Sequence, residues 1–155
     1  MTEQFKPNTT VAGIIFHQDK FLIVEEVDDE KIVYNQPAGH VEENENLIAA
    51  FKREVLEETG LQVEPDFISG IYYHYREDIK LHYLRFCFVV ELSDFTETQP
   101  QDSDILRAIW LTKEELLAKG EQIRSPLVVE CLNDFLNGNN YPLSILKTNI
   151  TSVNT

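Results

Sequence analysis

Glu54, Glu57 and Glu58 stand at i, i+3 and i+4 in the segment GHVEENENLIAAFKREVLEETGL, residues 39–61. At about 100° per residue, these side chains project within about a third of a helix circumference. Carboxylates at such spacings repel one another by roughly 0.2–0.5 kcal/mol per pair. Glu57 and Glu58 also lie near the expected end of the helix, where the macrodipole disfavours negative charge. A divalent cation removes both penalties. Mg²⁺ and Mn²⁺ are hard ions that take carboxylate oxygens and favour phosphate as a co-ligand. The triplet therefore points to metal-assisted chemistry on a phosphate group, with Glu57 and Glu58 as direct ligands. Arg53, next to Glu54 and four residues before Glu57, is expected to orient these carboxylates rather than touch substrate, because a planar guanidinium holds carboxylates in fixed geometry.

A helix must present these groups, and its limits are written in the residues. Asn46 is the expected N-cap, since Leu47 opens the apolar pattern. Gly60 is the expected stop, with Leu61 placed to pack back on the last turn. Leu47, Ala50 and Phe51 share the glutamate face one to two turns earlier, so the helix is expected to pack at one end and line a cleft at the other. Before it, Gln36-Pro37-Ala38-Gly39 reads as a turn. Gly39 there is expected to allow φ > 0 and close approach of backbone to a metal or phosphate.

Elsewhere the pattern predicts strands at residues 9–16 and 21–27, joined as a hairpin, and a short one at 31–35. An extended segment at 62–70, an aromatic strand at 71–75, a long strand at 79–92 and another at 105–111 follow. Residues 112–119 predict a helix with Thr112 as N-cap and Glu115 in a capping box. Residues 125–136 predict a second, with Ser125 as cap, Pro126 at N1 and Gly138 after the end. The order β-β-β-α-β-β-β-α-α implies an α/β or α+β fold, with helices on both faces of a mixed sheet. One domain over residues 1–155 is expected, with its core at about 5–146 and a frayed C-terminal tail.

Composition narrows the partners. The formal net charge is −14 from 13 basic and 27 acidic residues, which argues against a nucleic-acid polymer, since phosphate backbones are held by clustered Lys and Arg. No apolar run approaches the ~20 residues that cross a bilayer, so no membrane association is expected. The N-terminus MTEQFKPNTT carries no basic-then-apolar leader pattern, and Cys87 and Cys131 sit in apolar segments away from metal-like spacing. A cytoplasmic protein with two buried thiols follows, as a monomer or homodimer.

The full spacing G-x5-E-x7-R-E-U-x-E-E-x-G-U, with U aliphatic, is met by Gly39, Glu45, Arg53, Glu54, Val55, Glu57, Glu58, Gly60 and Leu61. Chance agreement at a given start is on the order of 10⁻⁹. The segment resembles the Nudix box at every defined position. That resemblance implies an α/β/α sandwich and a phosphoric-anhydride hydrolase using Mg²⁺, with Mn²⁺ as substitute. It implies that Glu54 ligates metal or activates water, that Glu45 binds metal through water or holds the loop, and that the carbonyls of Ala38 and Gly39 are further metal ligands. An additional acid normally comes from an opposing loop. Asp104, six residues before Trp110, leads there, ahead of Asp102 and Glu97.

Arg85, then Arg76, His74 and Tyr83, are the leading candidates for substrate contact. Arg takes phosphate and aromatic rings stack heterocycles. Outside the box, FKPNTTVA, NQPAGHVE, TQPQDSDI, RSPLVVE and YPL resemble one phosphatase branch of the family. That likeness implies release of orthophosphate from nucleoside tri- and diphosphates and from thiamine-type pyrophosphates, including a hydroxymethylpyrimidine precursor. The alternatives are a nucleotide-sanitising pyrophosphatase that releases diphosphate and an ADP-ribose hydrolase. The first alternative is separated by product. The second is disfavoured by a short chain with no proline between Pro65 and Pro100. A non-catalytic ligand-sensing module is a third alternative, but such modules lose box carboxylates and none is lost here.

Overall fold

A computed structural model describes residues 2–151. Its strands are β1 (Asn8–His17), β2 (Lys20–Asp28), β3 (Lys31–Asn35), β4 (Ala38–His40), β5 (Phe67–Arg76), β6 (Leu81–Glu91) and β7 (Ile105–Thr112). The helices are α1 (Leu47–Thr59), α2 (Lys113–Leu117) and α3 (Pro126–Leu136). Short 3₁₀ turns occupy Gly120–Gln122 and Leu143–Ile145.

The sheet is mixed. β1 runs parallel to β6 along its whole length, while every other pairing is antiparallel. β1 and β2 form the expected hairpin, but they stay paired only at Phe16↔Phe21 and His17↔Lys20. Beyond that point they splay. The segment from β3 to β4 fills the fork, with β3 on β2 (Val24↔Asn35) and β4 on β1 (Ala12↔Ala38). Gln36 and Pro37 sit at the crossing, where Gly13 N–H donates to the Pro37 carbonyl at 2.9 Å.

The helices cover opposite faces. Ala50, Phe51 and Val55 of α1 pack on Val11, Ile15, Leu22, Val24, Ile68, Phe88 and Ala108. Leu127, Val128, Cys131 and Leu132 of α3 pack on Ile14, Phe21, Ile23, Cys87 and Val89 of the other face, with Leu116 of α2. This is the α/β/α sandwich. Buried on both faces, β1 reads as a near-continuous apolar run rather than an alternation. Cys87 and Cys131 are free thiols inside the α3 side.

The ends of α1 follow the sequence. Asn46 caps it by accepting from Ala49 N–H at 2.8 Å. Gly60 takes φ 78° and donates to the Leu56 carbonyl. A Cβ at Gly60 would lie 2.4 Å from the Gln99 carbonyl oxygen, so only glycine fits both the left-handed turn and that approach. Thr112 and Glu115 form the capping box of α2, whereas Ser125 caps α3 without a side-chain bond.

Three expectations change. Ala38–His40 is a strand as well as a turn exit, because the fork offers β1 an unpaired edge. The long β6 strand begins only at Leu81, since Lys80 takes φ 55° in a turn. The tail is tied down over its described length: Leu143 and Leu146 pack on the α1 side and the Asn46 side-chain amide donates to the Ile150 carbonyl at 3.3 Å. The expectation of fraying at residues 152–155 lies outside the described residues.

Candidate active site

Glu54 and Glu57 of α1 and Glu45 of the preceding loop converge on one guanidinium. Arg53 Nε donates to Glu45 at 2.6 Å and Nη2 donates to the other Glu45 oxygen at 3.0 Å. Nη1 reaches Glu54 at 2.8 Å and Glu57 at 3.4 Å, and Nη2 also bonds the His40 carbonyl at 2.9 Å. Glu45 turns back to accept Glu42 N–H at 3.0 Å. Burial works against the Glu45 charge, yet Arg53 and that amide hold its carboxyl below the usual range. Arg53 is held more firmly protonated than a free arginine, first by Glu45.

Glu54 and Glu58 lie deeper. Burial pushes Glu54 up to about 7, with Arg53 opposing and Glu57 and Glu45 adding repulsion. Burial pushes Glu58 up to about 9, against one hydrogen bond from Ala38 N–H at 2.8 Å. The other charges acting on Glu58 are Glu26, Glu54 and Asp102, all acidic. Five hard-oxygen groups with surplus negative charge, namely Glu26, Glu54, Glu57, Glu58 and Asp102, suit a divalent cation by donor chemistry. Among the described residues, no group of three or more His, Cys, Asp or Glu side chains is arranged to hold a metal ion as it stands. Arg53 engages oxygens of Glu54 and Glu57, so part of any coordination shell falls to substrate phosphate and water, as Mg²⁺ favours.

Gly39 has its reason here. Its φ is not positive, contrary to expectation, because it lies in the extended β4 strand. A Cβ at Gly39 would sit 2.1–2.3 Å from the carboxyl atoms of Glu54. The close approach is therefore between strand backbone and an α1 carboxylate.

On the opposing loop, both Gln101 and Asp102 donate their N–H groups to the Glu57 carbonyl, at 2.8 and 2.9 Å. Asp104 is exposed, its N–H bonded to Asp102 at 2.9 Å and its carbonyl to Val27 N–H at 3.2 Å. The loop thus brings Asp102 against the end of α1 and leaves Asp104 at the start of β7. Glu97 is exposed.

Beyond β4 opens a cavity of about 220 Å³, lined among others by Ala38, Gly39 and His40. His74, Arg76, Tyr83 and Arg85 all line it. Strand register explains why these four meet. His74 pairs with Tyr83 and Tyr72 with Arg85, which sets them on the α3 face of the sheet. Tyr75 pairs with His82 and Tyr73 with Leu84, which sends those side chains to the other face.

Sequence reasoning missed Thr10, Glu26, Asn35, Arg124 and Ser125, which also line the cavity, and Gln36, which bonds Arg85. Glu26 accepts from Arg124 Nη1 at 2.5 Å. Gln36, 1 % exposed, accepts from Arg85 Nη2 at 2.8 Å and donates to the Val128 carbonyl at 2.6 Å. Asn35 also faces Arg85, at 3.5 Å. The signal available was an acidic pair, Glu25-Glu26, inside an otherwise apolar strand, and two amides directly before Pro37. Polar groups buried in strands need partners, and Glu26 and Gln36 find theirs in Arg124 and Arg85, which line the cavity.

The chain resembles known proteins over most of its length. The NUDIX domain family matches residues 6–131. Phosphatase NudJ of Escherichia coli (strain K12) is 42 % identical over 142 residues, covering 92 % of each chain. A NUDIX hydrolase from Nitrosomonas europaea superposes with a TM-score of 0.88 at 42 % identity, covering 95 % of this chain and all of that one. The NUDIX domain of Shewanella oneidensis NrtR, solved with ADP ribose, shares the fold at a TM-score of 0.72 and 17 % identity, over 87 % of this chain and 90 % of that one. The chain belongs to the NUDIX family and is a Nudix hydrolase.

Proposed function

We propose that this hydrolase, as one Nudix domain, is a Mg²⁺-dependent phosphatase releasing orthophosphate from nucleoside tri- and diphosphates and from thiamine-type pyrophosphates. The observation that carries this reading is the junction at Ala38–Gly39. One side of this short strand meets the Glu54 and Glu58 carboxylates, and the same residues border the arginine-lined cavity. A phosphate chain laid across β4 would meet hard-cation ligands on one side and guanidinium groups on the other. The 42 % identity to NudJ over 92 % of the chain supports the phosphate-releasing branch.

In this reading Glu57 and Glu58 hold the cation, with Glu54, the Ala38 and Gly39 carbonyls, and an acid of the opposing loop as further ligands. On the observed geometry Asp102 is the better placed of the loop acids, with Asp104 beside it. When bound, the divalent ion supplies Lewis-acid stabilisation of the phosphoryl oxygens and a water of lowered pKa. Arg53 fixes Glu45, Glu54 and Glu57 in one arrangement, so the ligand set is organised before substrate arrives. Glu54, on the same face as Glu57 and Glu58, either completes the ligand set or takes a proton from the attacking water. Arg85, Arg76, His74 and Tyr83 contact the substrate. Water attacks one phosphorus in line, and the bond to the bridging oxygen breaks.

The test is product analysis on a panel of nucleoside tri- and diphosphates and thiamine pyrophosphate with Mg²⁺. Orthophosphate release, abolished by chelation and by Glu57→Gln, is the expected result. Diphosphate from a nucleoside triphosphate would overturn the phosphatase reading in favour of nucleotide sanitation. Unchanged turnover in Glu57→Gln would remove the box from catalysis.

A further inference from the structure

Three of the chain's five arginines, Arg76, Arg85 and Arg124, line one small cavity in a protein of formal net charge −14. Arg76 pairs with exposed Asp78 and Arg124 with Glu26. Arg85 is different. It is 6 % exposed, its guanidinium's only hydrogen-bond partners among the described residues are the neutral amides of Gln36 and Asn35, and its buried Nε has no partner. A buried guanidinium with no carboxylate is costly unless an anion joins it.

The N-terminus of α3 faces the same space. Ser125 and Leu127 line the cavity, and α3 is an 11-residue helix. Ser125 is its N-cap but makes no side-chain cap bond. Pro126 has no N–H, so the first-turn donors open to a ligand are the Ser125 hydroxyl and the Leu127 N–H. They lie at the positive end of the helix dipole, where anions bind. Glu26, the only acidic residue lining the cavity among the described residues, is already held by Arg124.

We propose that Arg85, Arg124, Ser125 and the N-terminus of α3 form a phosphate-binding subsite, which holds a substrate phosphate group other than the one facing the cation side at the α1 carboxylates. The proposal rests on the reading of the substrate as a pyrophosphate. Gln36 acts as its positioning residue: bonded to Val128 of α3 and to Arg85, it ties the guanidinium to the helix end. Ala38 and Gly39 border the cavity on the Glu58 side, so adjacent phosphates would be divided between the two sets of groups.

Binding of inorganic phosphate to the full chain in EDTA, followed by titration calorimetry and phosphorus NMR, tests the subsite without any metal. Wild type is expected to bind in the millimolar range and Arg124→Gln about tenfold more weakly. Ser125→Asp is the second variant: aspartate is a good N-cap, so the helix keeps its stability, while its charge excludes phosphate. That variant should lose phosphate binding, keep its melting temperature and raise KM for a nucleoside triphosphate by about tenfold with a smaller change in kcat. Inorganic phosphate should compete with substrate in the Mg²⁺ assay. Absence of binding to wild type, binding to Ser125→Asp equal to wild type, or inhibition not competitive with substrate would each overturn the subsite. Glu57→Gln separates the two readings, because it should bind phosphate normally while losing hydrolysis. If it hydrolyses as wild type does, the metal-box reading falls while the phosphate titration still reports on the subsite.

Discussion

On α1 and the loop before it, Glu42, Glu45, Glu54 and Glu57 share a single arginine, Arg53. Across β4, three arginines line a cavity whose one carboxylate among the described residues is Glu26. The two regions touch at Ala38–Gly39 and carry opposite charge imbalances. The acidic side is written on one helix and its preceding loop, so helical periodicity sets its geometry. The basic side is assembled from β1, β2, β3, β5, β6 and the start of α3, and exists only once the fork between β1 and β2 has been filled. An excess of one sign on each side of a shared strand is the arrangement a metal-bridged phosphate chain would neutralise from both ends.

The largest break in that comparison is Glu58→Gln. Glutamine keeps an acceptor for the Ala38 N–H but removes the ligand charge, so kcat with Mg²⁺ should fall by about 10²–10³-fold while the protein stays folded. The same variant gives a pH test in metal-free protein. Because burial raises Glu58 to about 9, the native state binds more protons than the unfolded state between the ordinary carboxylate range and about 9. Stability in EDTA should therefore fall as pH rises through that window, with Glu54 adding to the loss up to about 7. Glu58→Gln should flatten the slope of melting temperature against pH. A slope as steep as that of wild type would mean that Glu58 is not the buried acid responsible.

Gly39→Ala comes next. The added methyl would overlap the Glu54 carboxyl, which must leave its place between Arg53 and β4. Overpacking at such a site costs about 1–3 kcal/mol, and if Glu54 serves catalysis as proposed, displacing it should lower kcat by roughly tenfold or more. Thermal unfolding and steady-state kinetics together check it. A fully active variant would show that Glu54 does not need its observed position.

These two variants also mark what the sequence could and could not reveal. Glu54, Glu57, Glu58 and Arg53 were legible because i, i+3 and i+4 neighbours share a helix face whatever the rest of the chain does. The ends of α1 were legible for the same local reason, in Asn46 and Gly60. Glu26, Gln36 and Arg124 were not, because their contacts join positions 49 to 98 residues apart, as in Arg85 with Gln36 and Arg124 with Glu26. His74, Arg76, Tyr83 and Arg85 could be suspected by chemistry, but only the β5–β6 register separates them from Tyr73, Tyr75 and His82 on the other face. The role of Gly39 was misread for a related reason. A glycine before a helix suggests a positive φ, whereas close contact with Glu54 depends on how α1 docks across β4.

Gln36→Leu probes the basic side with a smaller expected effect. Leucine fills similar volume but offers no acceptor to Arg85 and no donor to the Val128 carbonyl. Loss of two buried hydrogen bonds should cost about 1–3 kcal/mol. KM for substrate should rise by about three- to tenfold while kcat changes less, the reverse of the Glu58→Gln pattern. If kcat falls and KM holds, Gln36 serves the chemical step rather than the cavity.

Thr112→Ala is the smallest and separates stability from both regions. Thr112 accepts from Glu115 N–H at 3.1 Å while Glu115 accepts from Thr112 N–H at 3.0 Å, which fixes the first turn of α2. α2 borders neither the α1 carboxylates nor the cavity, and it joins the core through Leu116. Removing the hydroxyl should cost about 1 kcal/mol, since one orphan helix N–H loses its acceptor. Both kcat and KM should match wild type below the shifted melting temperature. A kinetic change of the kind seen in Gln36→Leu would mean that loosening the α3 side of the sheet is enough to disturb the cavity, and the Gln36 result would then report stability instead of positioning.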